Sequence, residues 1–215
     1  MRKITLDIVS DVVCPWCFIG YKRLCKAIEL LRDEMNFEIH WHPFELNPDM
    51  PAEGEPMDVH IQRKYGIGEA QSRENRARMA AIGKDLDIEF YAGNDRRIYN
   101  TFDAHRALHW AREHDQEQAF NLALFEEYFG AGRNPSDPAV LRQVAETLGL
   151  DGTELAEVLA SDRYADAVRA EEREYLQAGI SAVPAFIINR QYLISGGQEP
   201  QTFVEALRKI AAESG

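Results

Sequence analysis

The sequence predicts an α/β protein: a βαβ unit, a long all-helical insertion, then a ββα unit. Apolar β-branched runs fall near the two ends of the chain. Between Met57 and about Ala178 the apolar residues recur only at helical spacing. Near the end, two strand-like runs are separated by Asn189-Arg190-Gln191, the length of a hairpin connection.

Each element has its own signature. Ile4 to Ser10 (ITLDIVS) is β-branched and apolar, hence a strand. Pro15 sits where the first turn of a helix tolerates proline, and Ile19, Leu24, Ala27, Ile28 and Leu31 then mark one helical face. Phe37, Ile39 and Trp41 alternate with Glu38, His40 and His42, as in a strand, until Pro43 stops it. Asn47 to Pro56 is rich in proline and glycine and reads as loop. Helices are expected over Ser72 to Leu86, Thr101 to Glu113 and Glu117 to Phe129. A fourth follows the Asp137-Pro138 cap, with Val140, Leu141, Val144 and Leu148 on one face. Two more cover Thr153 to Leu159 and Asp162 to Ala178, the latter stopped by Gly179. Strands follow at Ala185 to Asn189 and Tyr192 to Ser195, and Gln201 to Ala212 is an amphipathic helix. Residues 1–50 and 179–215 thus form one discontinuous domain, and 51–178 a helical insertion domain.

Composition narrows the function. The 215 residues suit one large domain or a domain with a substantial insertion, and 45% hydrophobic residues supply a core. A net charge of −12 with no sustained basic run argues against nucleic-acid and anionic-lipid partners. No apolar run is long enough to span a bilayer. Asp7 and Asp11 interrupt the first apolar stretch, which reads as a strand and not a signal peptide. The expected location is cytoplasmic, where disulfides are usually transient and catalytic. The acidic pair Glu171-Glu172 reads as a solvated helix face.

The three cysteines are Cys14, Cys17 and Cys25. That is too few, and an odd number, for a disulfide scaffold. No second CxxC and no HExxH occur, so no metal site is expected, although His105 and His109 stand four apart. Cys14 and Cys17 lie between the first strand and the first helix, and a CxxC beside a βαβ pattern reads as a thioredoxin-like redox motif. A helix N-terminus favours an anion, so a moderately lowered pKa is expected for Cys14. Cys14 is then the attacking thiol and Cys17, one turn on, the resolving one. The intervening Pro15 and Trp16 carry no titratable group. Asp7 has two readings: a proton relay for the resolving thiol, or an acid facing solvent near an edge. Cys25 is roughly 12 Å along the helix from Cys17, too far for a disulfide, and reads as a small buried hydrophobe.

These residues carry a resemblance. Ser10-Asp11 before Cys14-Pro15-Trp16-Cys17 and Gly20, Pro43-Phe44-Glu45-Leu46-Asn47-Pro48, Asn100-Thr101 with Ala104-His105-Arg106, Val183-Pro184-Ala185-Phe186 and Ser195-Gly196-Gly197 span nearly the whole chain. Together they resemble the DsbA-like oxidoreductases, in particular their cytoplasmic FrnE-like branch, related to 2-hydroxychromene-2-carboxylate isomerase. The resemblance implies a thioredoxin fold interrupted by a helical domain, and a cis Pro184 against the cysteine pair with the Val183 backbone left to bind substrate. It implies that Asn100 approaches Cys14 or its substrate. His105 and Phe44 are further candidate substrate-binding positions, with the alternatives of a hydrogen-bonded boundary histidine and a packing aromatic. The implied function is thiol–disulfide exchange with a substrate protein or small thiol. No cofactor is implied beyond the redox-active disulfide, with glutathione a candidate co-substrate. The alternative is a glutathione-dependent isomerase or transferase of a small aromatic or polyketide-like molecule. Monomer and homodimer both stay open.

Overall fold

The computed structural model describes residues 1–213 and divides into two compact units. The first comprises Met1–Phe44 and Arg169–Gly215, the second Glu45–Val168. Compared with the sequence expectation, the seams lie earlier, at 44/45 and 168/169 instead of 50/51 and 178/179. The reason is local. The last helix of the expected insertion presents Tyr175 to an apolar cluster built on Val9, Ile180 and Ala185, so most of that helix belongs with the sheet.

The first unit opens with β1 (Arg2–Ser10), α1 (Pro15–Leu31) and β2 (Met35–Pro43). The helical unit follows: β3 (Glu55–Pro56), α2 (Met57–Tyr65), α3 (Glu69–Lys84), β4 (Arg97–Ile98), α4 (Phe102–Glu113) and α5 (Glu117–Phe125). After a π-helical turn over Glu126–Gly130 come α6 (Pro138–Thr147) and α7 (Gly152–Leu159). Then α8 (Ala165–Gln177) leads back to β5 (Ala185–Ile188), β6 (Tyr192–Ser195) and α9 (Pro200–Glu213).

The four-stranded sheet has the order β2-β1-β5-β6. β1 pairs parallel with β2, in the register Asp7↔His40, and antiparallel with β5, in the register Ile8↔Phe186. β1 is central, so both of its faces are covered. Ile4, Leu6 and Ile8 alternate with Asp7 and Val9, and all five are buried. Phe186 carries the first face outward to Phe203 of α9, with ring centroids 4.9 Å apart. The amphipathic helix expected near the end of the chain is α9, which buries Phe203, Val204, Leu207, Ile210 and Ala211.

The punctuation also follows from residue chemistry. Asp137 Oδ1 accepts from the Ala139 N–H at 2.7 Å and caps α6. Gly179 takes φ +89 just after α8, as a helix-stopping glycine does. In the three-residue connection Asn189-Arg190-Gln191, Gln191 N–H closes a turn on the Ile188 carbonyl at 3.0 Å, its central residues Asn189 and Arg190 both adopt positive φ, and Asn189 Oδ1 accepts from Thr5 N–H at 3.1 Å.

Helix α2 opens the helical stretch where the pattern from Met57 predicts helix, and is closed by Gly66 in the left-handed region. Two features depart from expectation. The β3–β4 bridge joins two segments about forty residues apart, a pairing that no local pattern encodes. The helix expected through Phe129 changes to π winding after Phe125.

Arg106 of α4 organises the helical unit. Its side chain is 6% exposed. It donates from Nε to the Arg163 carbonyl at 2.9 Å, from Nη2 to the Val158 carbonyl at 2.6 Å and to that of Ser161, and from Nη1 to Asp103 at 2.7 Å. The guanidinium thus caps the C-terminal carbonyls of α7, where the helix dipole favours a cation. Arg106→Ala is expected to lower unfolding stability by about 2–3 kcal/mol, because it removes the charged donor that joins the Val158, Ser161 and Arg163 carbonyls. Arg106→Lys should recover little of this, since an ammonium cannot span the fork. Urea titration of the three proteins is the measurement.

Candidate active site

The turn after β1 places the cysteines. Cys14 N–H donates to the Asp11 carbonyl at 3.0 Å, a tight turn that swings the chain from strand to helix. Cys14 is the N-cap residue of α1 with extended dihedrals, and Pro15 opens the helix. The Cys14 carbonyl accepts from the Cys17 N–H at 3.0 Å, and no acid stands in the first turn. All three cysteines are free thiols. Cys14 is 4% exposed and Cys17 0%, while Pro15 and Trp16 are half-buried.

Val183–Pro184 is a cis peptide bond. The Cys14 thiol donates to the Val183 carbonyl at 3.7 Å, which brings the start of β5 to the first cysteine. A glycine seam holds α1 there. A Cβ on Gly20 would lie 3.0 Å from Gly197 Cα and 3.3 Å from Pro184 Cγ. A Cβ on Gly197 would lie 3.0 Å from the Trp16 carbonyl oxygen. Gly196 N–H donates to the Pro184 carbonyl at 2.8 Å, and Arg23 Nη1 of α1 donates to the Gly197 carbonyl at 2.6 Å. The Ser195-Gly196-Gly197 segment is therefore bonded to both walls of the site.

The two thiols differ in environment. Burial pushes the Cys17 thiol well above its ordinary range, and the adjacent Cys14 acts in the same direction. The Ser10 hydroxyl and the Asp11 backbone N–H oppose them. Cys25 is half-buried, not buried as its sequence context suggested. Burial raises its thiol, while Tyr21 hydrogen-bonds to it.

Asp7 is 4% exposed, so the reading of an acid facing solvent is corrected. It stands on central β1, and its carboxylate pairs with His42 Nε2 at 3.1 Å. His42 Nδ1 in turn meets Glu171 Oε1 at 2.5 Å, and the imidazole lies 4.6 Å from the Tyr175 ring. The hydrogen bond from His42 holds the Asp7 carboxyl below the usual range against the opposing effect of burial. Burial disfavours the imidazolium, but the bonds to Asp7 and Glu171 outweigh it and raise the His42 pKa above the ordinary value. The reading of Glu171-Glu172 as a solvated face is corrected too. Glu171 is held by His42, and Glu172 is 8% exposed and bonded to Arg169 at 2.9 Å. Sequence reasoning missed His42. The signal available was an acid and an imidazole at polar positions of neighbouring strands.

The remaining candidates are distributed as follows. Phe44 is partly buried and packs with Val183, Tyr175 and Ile187 on the Val9 cluster. Asn100 lies in the helical unit, where its Oδ1 accepts from Phe102 N–H at 2.9 Å and its Nδ2 donates to the Pro48 carbonyl at 3.3 Å. His105 is buried within α4 of the same unit. The first unit alone thus brings together Cys14, Pro15, Trp16, Cys17, Val183 and Pro184. Among the described residues, no three His, Cys, Asp or Glu side chains converge as a metal site requires.

Two thiols at the start of a helix, beside a cis-proline segment in a β2-β1-β5-β6 sheet, define a thioredoxin fold. Residues 5–208 match the model of the DSBA-like thioredoxin domain, and the chain belongs to that family. It is similar to a probable DsbA oxidoreductase of Streptomyces coelicolor, with 33% identity and a TM-score of 0.91, covering 98% of this chain and 91% of that one. It is 28% identical to the uncharacterized protein YwbO of Bacillus subtilis over 95% of this chain and 96% of that one. A 2-hydroxychromene-2-carboxylate isomerase of Sphingobium xenophagum is 31% identical over 45% of this chain and 49% of its own length. The fold alone is shared with the glutathione-containing structure of the cytosolic disulfide reductase DsbM of Pseudomonas aeruginosa, at 17% identity and a TM-score of 0.66 over 97% of this chain and 99% of that one.

Proposed function

We propose that the protein is a thiol–disulfide oxidoreductase that cycles Cys14 and Cys17 between dithiol and disulfide, acting in a reducing cytoplasm. The observation that carries this is the geometry of the pair. Cys14 occupies the helix N-cap against the Val183 carbonyl, and Cys17 stands one turn behind it, fully buried. Such a pair divides the labour: the outer thiol meets the substrate, and the inner one meets only the outer. In that compartment, reduction or isomerisation of substrate disulfides is favoured over net oxidation. Glutathione or a substrate protein supplies the exchanging thiol, and Phe44, in the unit that carries Cys14, is the candidate contact to it. No helix among the described residues is long and apolar enough to cross a membrane.

The test is direct. Mild diamide treatment should remove two hydrogens, and peptide mapping should locate the new bond between Cys14 and Cys17. The same protein should accelerate the reduction of insulin by dithiothreitol. An intact active protein that forms no such bond would overturn the reading. A second reading, a glutathione-dependent isomerase, draws on the partial match to the Sphingobium enzyme. It predicts catalysis that survives loss of Cys17.

A further inference from the structure

Ser10 ends β1 with the same parity as Ile4, Leu6 and Ile8, on the face that Phe186 shares with Gly20 of α1. It is 4% exposed. Its carbonyl is occupied, accepting from Phe44 N–H at 3.0 Å. Its hydroxyl is not: Oγ makes no hydrogen bond of ordinary geometry with any described residue. A buried hydroxyl without a partner costs stability, and apolar alanine would fill the position without that cost. Cys17, on α1 packed over this face, is fully buried, and the Ser10 hydroxyl and the Asp11 backbone N–H both favour its ionised form.

The chemistry of resolution explains the arrangement. A thiol is a weak acceptor and gives a nearby O–H little to bind. A thiolate is a strong acceptor. Cys17 is 0% exposed, so solvent cannot stabilise its anion, and protein donors must do so. We propose that the Ser10 hydroxyl and the Asp11 backbone N–H form the pocket that receives the Cys17 thiolate while it resolves the mixed disulfide. The proposal rests on the thiol–disulfide reading above. In the first step the Cys14 thiolate attacks a substrate disulfide, forming a Cys14–substrate bond and releasing one substrate thiolate. In the second, Cys17 gives up its proton to that basic leaving thiolate or to water. Its sulfur then attacks Cys14 and expels the second substrate thiolate. The substrate gains two electrons, and the cysteine pair loses them. The Ser10 O–H keeps its own proton throughout and only donates a hydrogen bond. The titratable groups beside Cys17 are Cys14 at the N-cap of α1 and Asp11 in the preceding turn, whose Oδ1 accepts from the Val13 N–H at 3.4 Å.

Ellman's reagent separates the two steps, because each releases one thionitrobenzoate. In a Cys25→Ala background, Ser10→Ala should leave the first phase within about twofold. It should slow the second at least about tenfold at neutral pH, the effect of one hydrogen bond to a charged group. The pH midpoint of the second phase should move upward, Ser10→Thr should restore it, and urea titration should find Ser10→Ala as stable as its parent or more so. A second phase unchanged by Ser10→Ala overturns the proposal. Equal slowing of both phases with lost stability overturns it in favour of a packing role. If the parent itself shows no second phase, the redox-pair reading fails instead.

Discussion

Cys17→Ser is expected to convert the protein from a catalyst into a trap. Cys14 keeps its N-cap position and its contact with Val183, so attack on a substrate disulfide continues. What is lost is the intramolecular exit. Effective molarities for well-placed intramolecular groups reach about 10⁵ M or more, far above any external thiol at millimolar concentration. Turnover in an insulin assay with limiting glutathione should therefore fall at least about a hundredfold. Mixed disulfides on Cys14 should accumulate on non-reducing gels and be confirmed by intact mass. The complementary Cys14→Ser should abolish both turnover and trapping, because Cys17 at 0% exposure does not meet substrate. Full activity in Cys17→Ser would sink the redox cycle and favour glutathione-dependent isomerisation. The two variants together separate attack from resolution.

Much of this site was legible in the sequence because its chemistry is local. The strand, the turn and the helix that carry Cys14 and Cys17 lie within one stretch of the chain, and Pro15 marks the helix start. The hairpin at Asn189-Arg190 and the stop at Gly179 are likewise written in residues whose backbone preferences act on themselves. What was not legible depends on contacts across the chain. Gly20 and Gly197 are ordinary glycines until the fold brings them within van der Waals contact. Arg106 looked like part of a motif, and only the meeting of α4 with the end of α7 makes it a cap. Glu171 was misread because helical charge patterns cannot reveal that a histidine 129 residues away turns toward the helix. Ser10 shows the same limit: the sequence places it in the strand, but only the structure shows that its hydroxyl is buried without a hydrogen bond among the described residues.

His42→Phe should be the most destabilising single change in the first unit outside its apolar core. His42 joins Asp7 of β1 to Glu171 of α8, and the side-chain exposures of the three are 13%, 5% and 16%. Removing the imidazole leaves two carboxylates with little solvent and without their shared cation. Breaking one partner out of such a buried cluster costs about 3 kcal/mol, the low end of the usual range because Glu171 keeps some water. Asp7→Asn combined with Glu171→Gln should recover part of the loss, since the charges left behind are the main cause. The wild-type pH dependence has a defined sign. The His42 pKa is raised on folding, so its contribution is complete below the unfolded value of about 6.5 and is lost as pH rises through the folded value. The Asp7 pKa is lowered, so its contribution is present above about 3.9 and is lost as pH falls through the folded value. Stability from this cluster therefore peaks in mildly acidic solution and declines toward alkaline pH. Urea titrations from pH 5 to pH 9 should show that decline in the wild type and a flatter profile in His42→Phe. A wild-type profile that rises across the same range would show that His42 is not protonated between its two carboxylates.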